Sequence, residues 1–322
     1  MKNTLLLLTA FLLVYVLNGQ DMEDLERGIL MKVNAQPDKG FHYDYLIFLP
    51  KNIEKDKKHY LLVETNNTGF PTDSSELHER SAKKLASGHY FIGNWVSQKM
   101  GIPLVVPIFP RPQSKALVYT HTLDRDAILI QDVKYKRLDL QLMRIIEHAK
   151  DVLRQRDYSI HEKIFMNGFS ASGSFINRFA FLHPEIIKAL ATGGLNGILM
   201  LPQEQLAGKE LNYPLGIKDF EAIMGTPFDF DAYKDISQFI YMGTKDTNDA
   251  VKYDDAYNNK ERAIIYHALS ESMLPERWEK CQLIYKLHGV NAEFRTYDHV
   301  GHGTPFSVLW EIVEFFKRNN KI

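Results

Sequence analysis

Residues 163–174, KIFMNGFSASGS, restrict the fold of this chain more than any other stretch. Ile164-Phe165-Met166 is apolar at every position and too short for a helix, so it reads as a buried strand. Gly168-Phe169-Ser170-Ala171-Ser172-Gly173 follows, and helical spacing resumes from Phe175 to Leu182. Strand, sharp turn at a serine, then helix is the context that gives a G-x-S-x-G-like pattern meaning. Such a turn puts the serine at a cramped apex, where strand and helix backbones nearly touch and neighbouring residues must be small. Gly168 meets this demand two residues before Ser170. Two residues after it stands Ser172, itself small, with Gly173 one step later. Ser170 is therefore the candidate nucleophile and Ser172 the alternative. The pattern alone is better explained by a serine-capped helix start, so the case depends on the rest of the chain.

With 322 residues the chain has room for one large α/β domain or two small ones. Hydrophobic residues at 45% and charged residues at 25% argue against a disordered or fibrous chain. A net charge of -1 without a long basic run argues against nucleic acid or an anionic membrane surface as partner. Cys281 is the only cysteine, which rules out an intramolecular disulfide and a multi-cysteine zinc site. It is expected to be a small buried hydrophobe.

Lys2, a mostly apolar run from Leu5 to Leu17, and the exit Asn18-Gly19-Gln20 match a secretory signal peptide over residues 1–20. The run of about 13 residues falls short of the roughly 20 that a membrane span needs. Cleavage near Gly19 or Gln20 is expected, with export to a periplasm or the medium and no lasting membrane anchor. A retained N-terminal anchor is the alternative.

Strands are expected at 29–33, 41–50, 60–63, 103–109, 164–166, 187–192, 239–242 and 293–297. Helices are expected at 75–85 and 89–98, from 138 onward, after the serine turn, and at 249–258, 261–287 and 306–317. Residues 193–236, interrupted by Pro202, Pro214 and Pro227, are the candidate cap insertion. Strands alternating with helices mean mostly parallel pairing with helices on both faces. About eight strands fill the length, giving a single α/β domain over 21–322.

Three further pieces stand where a serine at such a turn would need them. Gly243-Thr244-Lys245-Asp246 follows a buried strand, so Asp246 lies beyond its carboxyl end, the edge at which open α/β sheets bind ligands. Asp249 is the alternative acid, and both also suit a helix N-cap. Gly301-His302-Gly303 follows the last strand and offers an imidazole in a turn at the same edge, with His299 as the alternative base. His299-x-x-His302 lacks the partners of a zinc site, so no metal is expected. One oxyanion donor is expected from the backbone of Ala171, and a second from Asn67, in the loop after 60–63. Asn66-x-Thr68 is a glycosylation sequon that would block this loop, and is read as a chance match. Phe70, Tyr119, Phe169, Phe228, Phe230 and Phe306 are candidates for an aromatic pocket.

The order Ser170, Asp246, His302 is that of the α/β-hydrolases. From about Phe41 onward the chain resembles secreted α/β-hydrolases of the esterase and polyester-depolymerase-like group, on NGFSASG, YMGTKD and HVGHGTP, each after its own strand. The resemblance implies a serine hydrolase of carboxylic esters that uses neither cofactor nor metal. It implies Ser170 as nucleophile, His302 as base, Asp246 as its orienting acid, and a small-molecule or polymer-linked ester as substrate. Two alternatives stand beside it. One is a peptidase like the prolyl-oligopeptidase catalytic domain, whose large N-terminal propeller has no counterpart here. The other is a non-catalytic binding protein on the same fold.

Overall fold

Successive side chains of a strand face opposite ways, and in this sheet both ways lead into core. The computed structural model describes residues 20–195 and 197–320; the expected signal peptide lies outside the described residues except for Gln20. The central sheet comprises β1 (Gln20–Leu25), β2 (Gly28–Val33), β3 (Tyr45–Pro50), β4 (Leu62–Glu64), β5 (Leu104–Pro107), β6 (Ile164–Phe169), β7 (Ile187–Gly193), β8 (Ser237–Gly243) and β9 (Ala292–Tyr297). Their spatial order is β1-β2-β3-β5-β4-β6-β7-β8-β9. The first three strands pair antiparallel, β3 also meets β5 antiparallel, and every pairing from β5 to β9 is parallel. This is the mostly parallel α/β architecture the sequence implies, with one strand more at the edge. The addition is β1, Gln20-Asp21-Met22-Glu23-Asp24-Leu25, which pairs along its whole length with β2. Its acidic composition conceals it, because an edge strand facing water needs no apolar run.

The two faces are readable residue by residue. Met31, Ile47, Val63, Val105, Met166, Leu190 and Ile240 enter one core. Leu30, Phe48, Leu62, Leu104, Phe165, Ala189 and Phe239, one step away on the same strands, enter the other. Helices α3 (Leu138–Arg154), α4 (Ala171–Leu182), α5 (Asn259–Ala268) and α6 (Trp278–Leu287) cover the first face. Helices α1 (Ser75–Ser87), α2 (Ile92–Met100) and α7 (Phe306–Asn319) cover the second. On α3, Leu142, Ile145, Ile146, Ala149, Val152 and Leu153 form the inward stripe that the 3.6-residue period requires. Cys281 lies in the first core, and burial pushes its thiol up to about 11, so it is unreactive at neutral pH.

Two expected helices are corrected. Residues 249–258 hold only a single 3-10 turn, Ala250–Lys252, and the helix proper begins at Asn259. Asn258 caps it through a reciprocal pair with Glu261, a stronger start signal than the acidic residues upstream. The stretch expected as one helix over 261–287 is two, α5 and α6. Ser270, Glu271 and Ser272 lie between them, and Pro275 has no N–H with which to continue a helix. Residues 194–236 carry a short hairpin at Gln205–Glu210 and two five-residue helices, Phe220–Met224 and Phe230–Lys234. Leu199, Leu201, Leu211, Tyr213, Leu215 and Tyr233 from this segment are buried in the first core.

Candidate active site

The carboxyl edge of the parallel strands gathers the residues that the sequence separates. Ser170 sits between β6 and α4 with φ 62° and ψ −127°, a left-handed backbone that a side chain rarely adopts. The surrounding framework holds it there. Its N–H donates to the Gly193 carbonyl of β7 at 2.9 Å, and its carbonyl accepts from Ser174 N–H at 3.0 Å. A Cβ on Gly168 would come within 2.6 Å of the Ser172 carbonyl, and one on Gly173 within 2.8 Å of the Gly193 carbonyl. These glycines are where the backbones converge, which explains why Ser172 is tolerated in the remaining small position. Its hydroxyl is buried and pairs with Thr65 Oγ1 at 2.9 Å, turned away from solvent.

Asp246 and His302 arrive on two loops laced together at their bases. Lys245 N–H donates to the Val300 carbonyl, Thr244 N–H to the Tyr297 carbonyl, and His299 N–H to Thr244 Oγ1. His302 Nδ1 donates to Asp246 Oδ2 at 2.8 Å, while Asp246 Oδ1 accepts from Asn248 N–H at 2.8 Å. The Asp246 side chain is only 2% exposed against 28% for His302, so the carboxylate is enclosed while the ring keeps contact with solvent. Phe169 packs against the imidazole with centroids 4.7 Å apart, fixing its plane. With Nδ1 carrying the proton, Nε2 holds the lone pair that a base needs.

The alternatives lie elsewhere. Asp249 is bound by both amino groups of Arg277, at 2.9 and 3.2 Å. His299 is exposed, and its backbone bond to Thr244 belongs to the loop lacing. Asn248, between the two aspartates, was hidden in the sequence. Its carboxamide Nδ2 lies 3.1 Å from His302 Nε2 and 3.5 Å from Ser170 Oγ. An asparagine in a polar turn reads as a turn former, so spacing carries no signal for it.

The loop after β4 is built from beneath. Asn66 is buried, with its carboxamide donating to the Phe109 carbonyl and accepting from Phe109 N–H. Those bonds leave the Asn66 sequon inaccessible to a glycan in the folded protein. Asn67 Oδ1 accepts from Gly69 N–H, and the Asn67 carbonyl accepts from Ser81 Oγ. Thr68 pairs with the ring of His78 through Oγ1 and with His121 Nδ1 through its N–H. His121 is fully buried, and desolvation holds its ring down at about 3, so it stays neutral under this loop. At the other side, Ala171 opens α4, where the first N–H groups have no partner within the helix. Of the candidate pocket aromatics, Phe169 packs against His302 and Tyr119 stacks under Arg111. Phe228 packs with Phe181, Phe220, Phe230 and Tyr233 in an aromatic cluster.

Glu64 ends β4 immediately before this loop, paired in register with Asn167 of β6. It is buried among apolar helices, and desolvation pushes its carboxyl up to about 8, with Asn167 and the Gly93 N–H opposing only in part. A folded-state value above the ordinary 4.5 means the folded protein binds the proton more tightly than the unfolded chain. The resulting penalty is absent below pH 4.5, grows with pH, and is complete above about 8. Glu64→Gln should therefore match wild type in melting temperature near pH 4.5. Above pH 8 its unfolding free energy should exceed that of wild type by a few kcal/mol, on the order of 5 from the size of the shift, with a correspondingly higher melting temperature. Thermal melts of both proteins at the two pH values check this, and parallel curves would contradict it.

The sequence matches no protein-family model and no curated protein sequence. Solved structures do match its fold. Poly(aspartic acid) hydrolase-1 from Sphingomonas sp. KT-1 aligns over 92% of this chain and 97% of its own, with TM-score 0.54 and 14% identity. An S-formylglutathione hydrolase from Agrobacterium tumefaciens aligns over 93% and 97%, with TM-score 0.54 and 12% identity. A ferulic acid esterase aligns over 93% and 98%, with TM-score 0.52 and 14% identity. The chain has the α/β-hydrolase fold.

Proposed function

We propose that this protein is an exported serine hydrolase of carboxylic esters. The observation that carries the reading is the juxtaposition of Ser170, His302 and Asp246 at one sheet edge, with Nδ1 of His302 committed to Asp246 at 2.8 Å. Ser170 Oγ attacks the ester carbonyl while His302 Nε2 takes its proton. The carbonyl becomes an oxyanion facing the backbone N–H groups of Ala171 and Asn67. His302 then returns the proton to the leaving alcohol oxygen, the C–O bond breaks, and an acyl-Ser170 remains. Water, deprotonated by the same nitrogen, attacks the acyl-enzyme and releases the acid. Asp246 keeps the tautomer and stabilises the imidazolium that forms twice per cycle.

Export rests on the signal-like pattern of residues 1–20, and places the substrate outside the cytoplasm. A small or polymer-linked ester fits that location. The solved neighbours include enzymes named for an amide polymer and for esters, so bond type is the first thing to measure. A series of p-nitrophenyl esters from acetate to decanoate, set against matched anilides, tests both points. Ester turnover well above anilide turnover, together with labelling of Ser170 by a fluorophosphonate, is the expected result. Faster anilide cleavage would turn the reading to a peptidase. Absence of both turnover and labelling would turn it to a binding protein.

A further inference from the structure

We propose that His78 and Ser81, both on α1, are positioning residues that hold the oxyanion donor of the loop after β4; the inference rests on Ser170 acting as nucleophile and the Asn67 N–H as one donor. Residues 65–68 have no regular secondary structure, so the shape of the loop is set by where its polar groups find partners. The Asn67 carbonyl accepts from Ser81 Oγ at 2.7 Å, and Asn67 Oδ1 accepts from Gly69 N–H at 2.9 Å. The Thr68 N–H donates to His121 Nδ1 at 3.4 Å, and the Thr68 hydroxyl lies 2.6 Å from His78 Nδ1. Beside these engaged groups, the Asn67 N–H has no partner among the described residues.

One imidazole fixes both ends of the loop. His78 is buried, and its Nε2 has two contacts, the Thr72 carbonyl at 2.9 Å and the Arg111 N–H at 3.3 Å. The shorter contact makes Nε2 the donor, which leaves Nδ1 to accept from the Thr68 hydroxyl. A single ring thus joins Thr68 to Thr72, on either side of the exposed Gly69 and Phe70. The ring of His121 stands edge-on to it at 5.7 Å, with Nε2 donating to the Phe109 carbonyl at 2.8 Å. His78 and Ser81 are three residues apart and so share a face of their helix, which makes α1 the rigid base on which the loop is set. Removing a side chain from that face lets the peptide between Asn66 and Asn67 turn, while Ser170 and His302 keep their own supports. An oxyanion donor acts only when aimed at the place where charge develops. A displaced donor therefore weakens binding of the transition state far more than binding of the substrate.

The test reads kcat/KM for p-nitrophenyl acetate and the inhibition constant of a trifluoromethyl ketone. The ketone carbon bonds to a serine Oγ, the hydroxyl proton passes to the histidine, and the carbonyl oxygen becomes the oxyanion of a tetrahedral adduct. His78→Ala is expected to lower kcat/KM about 10- to 100-fold and to weaken the ketone by a similar factor. That is less than the roughly 10²- to 10³-fold that loss of a whole oxyanion donor costs. Ser81→Ala is expected to lower both by about three- to tenfold, the scale of one hydrogen bond. His78→Gln keeps a donor and an acceptor and is expected to recover most of the loss. Arg80→Ala, exposed on the same helix, should leave both constants unchanged and controls for a general disturbance of α1. Thermal melts show which variants fold, and His78→Gln and Ser81→Ala carry the test if His78→Ala does not. While wild type turns over and labels at Ser170, three results overturn the positioning role alone. These are kcat/KM within twofold of wild type in the folded alanine variants, a fall that the ketone does not share, and a glutamine variant no better than alanine. A wild type that neither cleaves the ester nor labels at Ser170 overturns the underlying serine mechanism and this inference with it.

Discussion

Replacing Ser170 by alanine is expected to lower kcat/KM for any ester the protein cleaves by about 10⁴- to 10⁶-fold, the scale seen when a triad nucleophile is removed. The size follows from the site having one hydroxyl at the apex. Ser172, two residues on, is buried against Thr65 and cannot substitute without breaking that pair. Alanine keeps the Cβ and the same backbone preference, so the melting temperature should stay within about 2 °C of wild type. Steady-state kinetics on purified wild type and variant, with a melt of each, check both halves of the prediction. Residual activity within tenfold of wild type would remove Ser170 from the mechanism.

The largest effect on stability is expected at Arg277. Its side chain is fully buried and every donor is engaged. Nη1 and Nη2 grip the Asp249 carboxylate at 2.9 and 3.2 Å, Nε donates to the Ser270 carbonyl, Nη2 also donates to the Glu271 carbonyl at 2.7 Å, and Nη1 reaches the Gly197 carbonyl at 3.5 Å. Arg277→Ala leaves a carboxylate with 18% side-chain exposure and three carbonyls without their partner. Stranding one member of a buried pair costs about 3–5 kcal/mol. For a domain of this size that corresponds to a fall in melting temperature of roughly 5–8 °C. An exposed pair such as Arg80–Glu76, with side chains 58% and 81% exposed, should cost less than about 1 kcal/mol when broken. Thermal melts of Arg277→Ala and Arg80→Ala separate the two cases; equal, small losses would show that the buried pair contributes nothing beyond a surface one. Because Asp249 anchors the loop that carries Asp246 and Asn248, Arg277→Ala should also lower kcat.

Much of this was legible before any coordinates. Strands buried on both faces are short apolar runs, and Ile164–Met166 and Phe239–Met242 announce themselves that way. The turn at Ser170 is readable because glycine, serine and alanine crowd a boundary between two periodicities. Asp246 and His302 are readable because each follows a strand and precedes a turn. What escaped is equally physical. β1 is an edge strand, and its charged residues carry no burial signal. The break in 261–287 is marked by Pro275, but the flanking residues keep enough helical periodicity to mask it. Asn248 and Glu64 share a different reason. Both are polar residues in or beside turn-forming stretches, where exposure is the usual outcome. Only the three-dimensional closure of the sheet edge buries Glu64 under α2 and brings Asn248 to Ser170.

The backbone at Ser170 has a consequence of its own. At φ 62° and ψ −127° glycine alone would rest without strain, and glycine has no hydroxyl to offer. The position proposed to perform the attack is thus the one at which the chain would fold more comfortably with the reactive group removed. If Ser170 is the nucleophile proposed above, drift toward a sturdier protein leads directly away from an active one at this residue.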